Sequence, residues 1–403
     1  MSKILVISQH YWPENFRITD ICEGFVQNGI EVDVLCGLPN YPKGEYFEGY
    51  SYTKPRREEK GGVNIYRCGE ILRKGNTSLR IFLNYISYPI TAVLNLLRLV
   101  GKKYDAVFCY ETSPVLMMLP AIIYSKIARI PLTTYVLDLW PENLYSVLPV
   151  KNKALKAIAK GVSHWFYRRS DRLIAMSPAL KEKLLEIAPK RETTVIEQYC
   201  EDFYAVDVQD EALNRRFANK FNIVFAGNFS PAQDLGLLVA CAEKLKENNI
   251  SDIHFVLLGD GMSKNELCAA ISNKNLNEYF TFEGQQPVTR VPAYHTAADA
   301  LFAALAKSDN LGLTVPAKIT SYMAAGRPLL VAIDGEAARV VKESSCGLVS
   351  AAGDAQALYE NIIKLFIMPK EKRTMLGDCA RKYYNDNYKR EKLLAKLFEF
   401  ILQ

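Results

Sequence analysis

A chain of 403 residues, 49% apolar with a formal net charge of +6, exceeds the size at which one hydrophobic core keeps growing, so two domains of roughly 200 residues are expected. The nine scattered cysteines include no C-x-x-C pair, and His10, His164, His254 and His295 are not spaced as ligands on one helix face. A disulfide framework and a protein-bound metal are therefore disfavoured. No long apolar run occurs, and "MSKILVISQHYWPEN" turns polar within one strand length, so a cytosolic protein without leader or membrane span is the expectation.

Charge is unevenly placed. Residues 1–200 carry 27 Lys and Arg against 19 Asp and Glu (27 − 19 = +8), and the remainder 23 against 25 (23 − 25 = −2). The basic half implies an anionic neighbour. A membrane surface fits better than nucleic acid, because no Lys/Arg run of five and no binding module is present.

Along the chain, "KILVIS" reads as a first strand, and the following "SQHYWPENFR" places Pro13, Glu14 and Asn15 in a loop entering a helix, with Asn15 as N-cap. Glu14 either touches ligand or favours the helix dipole. The dinucleotide fingerprint G-x-G-x-x-G is missing, which disfavours a nicotinamide or flavin enzyme. After the strand "EVDVLCG", a stretch from Ser51 to Lys103 holds 11 basic and 3 acidic residues around the 17 uncharged residues Ile81 to Leu97. That segment reads equally as a core helix broken near Pro89 or as a helix lying on a membrane.

"DAVFCY", "LTTYVLDL", "RLIAMS" and "TTVIEQY" continue a β-α-β rhythm. The strand "LTTYVLDL" runs on into Asp138, Trp140, Pro141 and Glu142, where a turn acid and a packing tryptophan compete with a ligand site, and the repeat of "PEN" favours the site. A polar connector, "EDFYAVDVQDEALNRRFANK", precedes a second rhythm: "FNIVFAG", "IHFVLLGDG", "YFTFEG", "ADALFAAL", "RPLLVAI" and "CGLVSA". The expectation is an α/β chain of two Rossmann-like, doubly wound parallel sheets with ligand in a cleft at their strands' carboxyl ends. The boundaries are residues 1–200, 201–385, and a C-terminal helix, 386–403, crossing back to the first domain.

Within the second half, Gly227, Gly259 and Gly284 close three strands, and Asp234 is placed to start a helix. Tight turns alone account for each glycine singly. "TVPAKITSYMAAGRP" reads as a helix capped by Thr314, with Pro316 in its first turn and Gly326 ending it. Its outward amides and Lys318 suit a diphosphate, with Ser321 and Tyr322 on the same face; the alternative is a packing helix with Lys318 in solvent.

The order "SQHYWPEN", "PNYPKG", "DLWPEN", "AGNFSPAQ", "GDG", "VPAKITSYMAAGRP" and "DGEAA" resembles, over essentially the whole chain, the retaining glycosyltransferases of family 4 with the GT-B fold. It is most similar to the subgroup making bacterial O-antigen and capsule sugars, including the L-fucosamine transferases. The resemblance implies a UDP-sugar donor held in the second domain by Gly227, Asn228, Gln233, Gly259, Gly284, Gln285, Thr314, Lys318 and Ser321. It implies a polyprenyl-diphosphate-linked saccharide acceptor near Pro13, Glu14, Asn15, Tyr41 and Glu142. Asp138 and Lys318 are the implied catalytic residues, with no metal cofactor, at the inner face of the cell membrane.

Departures accompany the match. The family's two glutamates seven residues apart are Leu313 and Ser321 here, its Arg and Lys pair is Asn228 and Gln233, and its usual histidine is replaced around Leu137 and Asp138. A non-catalytic relative that binds nucleotide-sugar or a partner enzyme is the alternative.

Overall fold

The computed structural model describes residues 2–51, 57–142, 152–308 and 311–403. The chain divides into two compact units, Met1–Ile196 with Leu394–Gln403, and Glu197–Leu393.

The first unit runs β1 (Lys3–Ile7), α1 (Ile18–Gln27), β2 (Glu31–Gly37), β3 (Arg57–Lys60), β4 (Val63–Cys68), α2 (Ser78–Asn95), β5 (Ala106–Glu111), α3 (Leu119–Ala128), β6 (Leu132–Val136), α4 (Lys153–Tyr167), β7 (Arg172–Ala175), α5 (Pro178–Ile187) and β8 (Glu192–Val195). Its sheet has the order β3-β4-β2-β1-β5-β6-β7-β8, parallel except for the β3–β4 hairpin. Strands such as β1, β5 and β6 are buried throughout or nearly so. Unbroken apolar runs are what a parallel sheet covered on both faces requires. The order turns around between β1 and β5, the point where doubly wound sheets open their loops to ligand.

The β3–β4 hairpin was not expected from sequence. Its "REEKGGVNIYRC" looks too polar because Arg67 is a core residue, 1% exposed. The guanidinium is paid for by Glu58, whose Oε1 it meets at 2.6 Å through Nε, and by the carbonyl of Trp12. The break expected near Pro89 in Ile81 to Leu97 is absent. Helix α2 runs through Pro89 without a break, burying Asn84, Tyr88 and Ala92 while Leu79, Phe82, Ile90 and Leu94 stay exposed. Tyr88 anchors the inner face by donating to the carbonyls of Ser8 and Leu35.

The second unit contains α6 (Glu211–Phe217), β9 (Phe221–Ala226), α7 (Gly236–Glu247), β10 (Ile253–Leu258), α8 (Lys264–Asn273), β11 (Phe280–Gly284), α9 (Val291–Ala297), β12 (Ala300–Ala304), α10 (Ala317–Ala325), β13 (Leu329–Ala332), α11 (Glu336–Glu343), β14 (Gly347–Ser350), α12 (Ala355–Phe366) and α13 (Lys370–Asn387). The six strands are all parallel, in the order β11-β10-β9-β12-β13-β14. Phe225, Phe229, Phe255, Leu257 and Phe302 fill one face of that sheet. The last helix, α14 (Arg390–Leu402), brings Phe398 edge-on to Phe25 and the Phe400 carbonyl to Arg172, both in the first unit.

Candidate active site

In the second unit the site residues gather where the strand order turns around, between β9 and β12. Gly227 follows β9 directly, and its N–H donates to the carbonyl of Leu258 at 2.9 Å, while Gly259 N–H donates to Gly284 O at 2.8 Å. These bonds extend the sheet past its regular end, so the three glycine-bearing edges form one surface. Gly259 (φ +132°) lies so close to its neighbour that a Cβ there would sit 1.9 Å from Gly227 O. Backbone packing therefore accounts for this glycine without a ligand. Asn228 and Gln285 are exposed and Gln233 is half-buried.

Helix α10 begins at Ala317, with Pro316 in the cap position and no side-chain cap. The expected Thr314 cap is therefore corrected: the extended Val315 and Pro316 intervene, and Thr314 stands half-buried before them. Gly326 does end the helix in the left-handed conformation, φ +65°, as a residue without Cβ permits. Asp234 likewise does not start its helix; it is left-handed itself, and α7 begins at Gly236.

Lys318, in the first turn of α10, points back to the strand ends. Its Nζ donates to Gln233 Oε1, lies 3.9 Å from the centroid of the Phe225 ring, and would meet a Cβ on Gly227 at 3.1 Å. Lys318, Gln233 and Gly227 are thus brought together. Burial, with no acidic neighbour among the described residues to offset it, pushes the Lys318 ammonium down to about 7. A half-buried cation that, among the described residues, is held by an amide and a ring face is short of an anion. The Ser321 hydroxyl donates to the Lys318 carbonyl at 3.0 Å, which leaves its oxygen to accept from a ligand but not to donate to one. Tyr322 braces the site instead, its hydroxyl accepting from Ala226 N–H at 3.1 Å.

A separate concavity of about 770 Å³ in this unit is lined by Arg327, Arg373, Arg381 and several aspartates. Its arginines are already engaged: Arg381 with the carbonyl of Ala325 and with Asp207, and Arg327 with the carbonyls of His295 and Thr296. Lys318 therefore remains the candidate anion site.

In the first unit, Glu14 is 4% exposed. One carboxylate oxygen accepts from the N–H groups of Asn40 and Tyr41, at 2.7 and 2.6 Å, and the other meets His10 Nδ1 at 2.9 Å. Glu14 thus ties the loop after β1 to the loop after β2, as charge-assisted bonds to backbone do well, and this accounts for an acid at that position. Asn40 also donates to Glu70, a fully buried carboxyl pushed up to about 8 mainly by burial. The braced loop presents Tyr41, 42% exposed, with His10 and Phe16 packed behind it. Pro13 is half-buried and Asn15 exposed. Asn15 is not the N-cap; α1 starts at Ile18 after Arg17.

Asp138 and Glu142 are half-buried beyond β6, and Asn143, the last residue of the second "PEN", lies outside the described residues. The Tyr167 hydroxyl organises this loop, accepting from Trp140 N–H at 3.0 Å and donating to the Asp138 carbonyl. Trp140 donates through its indole to Ser113.

Sequence reasoning missed Glu111, the last residue of β5. It is 0% exposed, and neither carboxyl oxygen has a hydrogen-bond partner among the described residues. Burial and then the nearby Asp138 hold it well above the ordinary carboxylate range. The signal available was a carboxylate closing an otherwise apolar strand, "DAVFCYE". Unfolded, Glu111 loses its proton near pH ~4.3; folded, it keeps it. Its stability contribution is therefore fullest below that pH and declines as pH rises. Glu111→Gln should raise the melting temperature by at least about 2 °C at pH 7.5, on the scale of ~1 kcal/mol for a unit this size, and much less at pH 4. An equal shift at both pH values would refute the buried-acid assignment.

The paired α/β sheets have the fold of sucrose-phosphate synthase from Thermosynechococcus elongatus (TM-score 0.76, 15% identity, 99% of this chain and 98% of that one). They equally match HepE from Anabaena, solved in complex with UDP-glucose (TM-score 0.69, 17% identity, 99% of each chain). This is the GT-B fold. Residues 209–383 match the family model described as glycosyl transferases group 1, and residues 16–198 the model described as glycosyltransferase family 4. The chain belongs to these glycosyltransferases. A curated relative, the colanic acid biosynthesis glycosyl transferase WcaI of Escherichia coli (strain K12), is 21% identical over 417 residues, covering 99% of both chains.

Proposed function

We propose that this glycosyltransferase moves a sugar from a UDP-sugar, bound at Lys318 in the second unit, to a polyprenyl-diphosphate-linked saccharide bound on the first, in the assembly of a surface polysaccharide. An amino or deoxy hexose such as N-acetyl-L-fucosamine, or another N-acetylhexosamine, is the proposed donor sugar. The observation that carries the reading is Lys318, a half-buried cation without an acid partner among the described residues, beside Gly227 and at the positive end of α10. A diphosphate supplies the missing charge.

Departure of UDP places negative charge on the β-phosphate, and a cation already in position stabilises that charge without reorganisation. Gly227 lies beside it and Gly284 leaves open space at its own strand end, with Gly259 holding the Gly227 loop by close backbone packing, while Asn228, Gln233 and Gln285 offer amides to the nucleotide or sugar. Thr314 and Ser321 complete the proposed donor set. On the first unit, Tyr41, Pro13, Asn15 and Glu142 are the proposed acceptor contacts, with Glu14 holding the Tyr41 loop. Asp138 is proposed to orient the acceptor hydroxyl, so that its proton passes to the leaving phosphate oxygen as the new glycosidic bond forms. The HepE and WcaI likenesses support the donor and pathway parts.

The test is turnover. UDP-hexosamines incubated with a short polyprenyl-diphosphate sugar should release UDP, and Lys318→Ala and Asp138→Asn should each cut the rate at least about tenfold, the low end of what one positioned charged group contributes. Undiminished rates in both variants would overturn the site while leaving the fold untouched.

A further inference from the structure

Two helices of the first unit carry stripes of large apolar side chains that are exposed among the described residues. On α4 the exposed residues are Leu155 (55%), Ile158 (62%), Val162 (41%) and Trp165 (43%), spaced at three, four and three residues, which places them along one line of the helix. On α2 and the turn after it, Leu79, Phe82, Ile90, Leu94, Leu97 and Val100 repeat the pattern. A soluble surface rarely leaves so many large apolar side chains contiguous unless something docks there. Both helices pack against the same short turn, Val115–Met118, so the two stripes belong to one region of the unit.

Charge names the occupant. Residues 152–170 contain Lys153, Lys156, Lys160, Arg168 and Arg169 and no acid, and residues 71–104 contain Arg73, Lys74, Arg80, Arg98 and Lys103 besides Lys102, which is paired with Asp33, again with no acid in the segment. Helix α4 is exposed almost all round over its first turns, and Trp165, with Arg169 over its ring at 4.9 Å, has the amphipathic character that suits a headgroup boundary. Apolar stripe, flanking lysines and absence of carboxylates are the physical requirements for lying on an anionic bilayer. Among the described residues no helix is long and apolar enough to cross a membrane.

We infer that α4 and α2 form a docking face for an anionic lipid bilayer, with α4 lying in the interface and its Leu155-to-Trp165 stripe entering the acyl boundary. The inference deepens the proposed use of a lipid-linked acceptor and rests on it for its purpose, but not for its measurement.

The test is sedimentation of the full chain with vesicles of phosphatidylglycerol and phosphatidylethanolamine, against pure phosphatidylcholine, with no donor or acceptor present. The chain should bind the anionic vesicles at least about tenfold more tightly, and this preference should collapse in high salt. Ile158→Glu with Val162→Glu should lose vesicle binding, and Lys153→Gln with Lys156→Gln and Lys160→Gln should lose the anionic preference. Both changes lie on exposed positions and should keep the melting temperature and the rate of UDP release with a water-soluble acceptor. Absence of vesicle binding, or binding indifferent to both variants, overturns the inference. So does a concentration-dependent dimer abolished by the same glutamates, which would assign the face to a second copy. Failure of UDP release with vesicle binding intact would instead overturn the proposed function alone.

Discussion

Lys318→Ala is expected to weaken UDP binding by ten- to a hundredfold. A hydrogen bond to a charged group contributes about 1.5 to 3 kcal/mol, and each 1.4 kcal/mol or so is a factor of ten in affinity. The wild-type chain should accordingly gain melting temperature with UDP, and the variant should gain much less. The pH dependence carries more information. In the free protein Lys318 titrates near 7 because burial penalises its charge; beside a bound diphosphate the charged form is favoured and the titration moves up. The complex then holds a proton that the free protein has partly released, so binding takes up a proton above pH 7 and weakens as pH rises. Stability of the free chain runs the other way. Unfolded Lys318 stays protonated to about 10.4, so the unfolded state binds more protons between 7 and that value, and this residue makes the fold more stable as pH climbs through the interval.

Gly259→Ala should be the most damaging single methyl in the second unit. The added Cβ would fall 1.9 Å from the Gly227 carbonyl oxygen, a backbone atom that cannot swing aside as a side chain would, and the φ of +132° is itself a conformation L-residues avoid. Strain of this kind costs on the order of 1 to 3 kcal/mol before the overlap is counted, so a loss of roughly 3 kcal/mol or more, and a melting temperature lower by roughly 6 to 12 °C, is expected. Gly284→Ala is the control: a Cβ there meets nothing within 4 Å, leaving only the milder penalty of its φ of +65°. A calorimetric scan in which the two variants melt together would refute the claim that Gly259 is dictated by backbone contact.

The parallel strands were legible because each is an apolar run bounded by turns, and burial on both faces demands that pattern. β4 was not, since its two polar residues are satisfied at a distance: Asn64 donates to Asp33 and Arg67 pairs with Glu58. Local chemistry also misplaced helix starts. Asn15 and Thr314 are good capping types, but the helices begin at Ile18 and Ala317, where packing sets the first turn. Lys318 could be singled out from its place in a helix after a strand; that it rests on Gln233, 85 residues away, could not. The same is true of Glu14, whose carboxylate is consumed by backbone N–H groups 26 and 27 residues on. Glu111 went unnoticed because an acid at a strand end ordinarily meets water, and only the packed fold reveals that this one does not.

The central claim is that the second unit holds a nucleoside diphosphate through Lys318. Titration of the chain with UDP by calorimetry at pH 6.5 and pH 8.5, each in two buffers of different ionisation enthalpy, tests it most directly. The account predicts binding at both, weaker at pH 8.5 and accompanied there by uptake of up to one proton, with the uptake abolished in Lys318→Ala. Absence of binding, or binding of equal strength and proton balance in the variant, would contradict it.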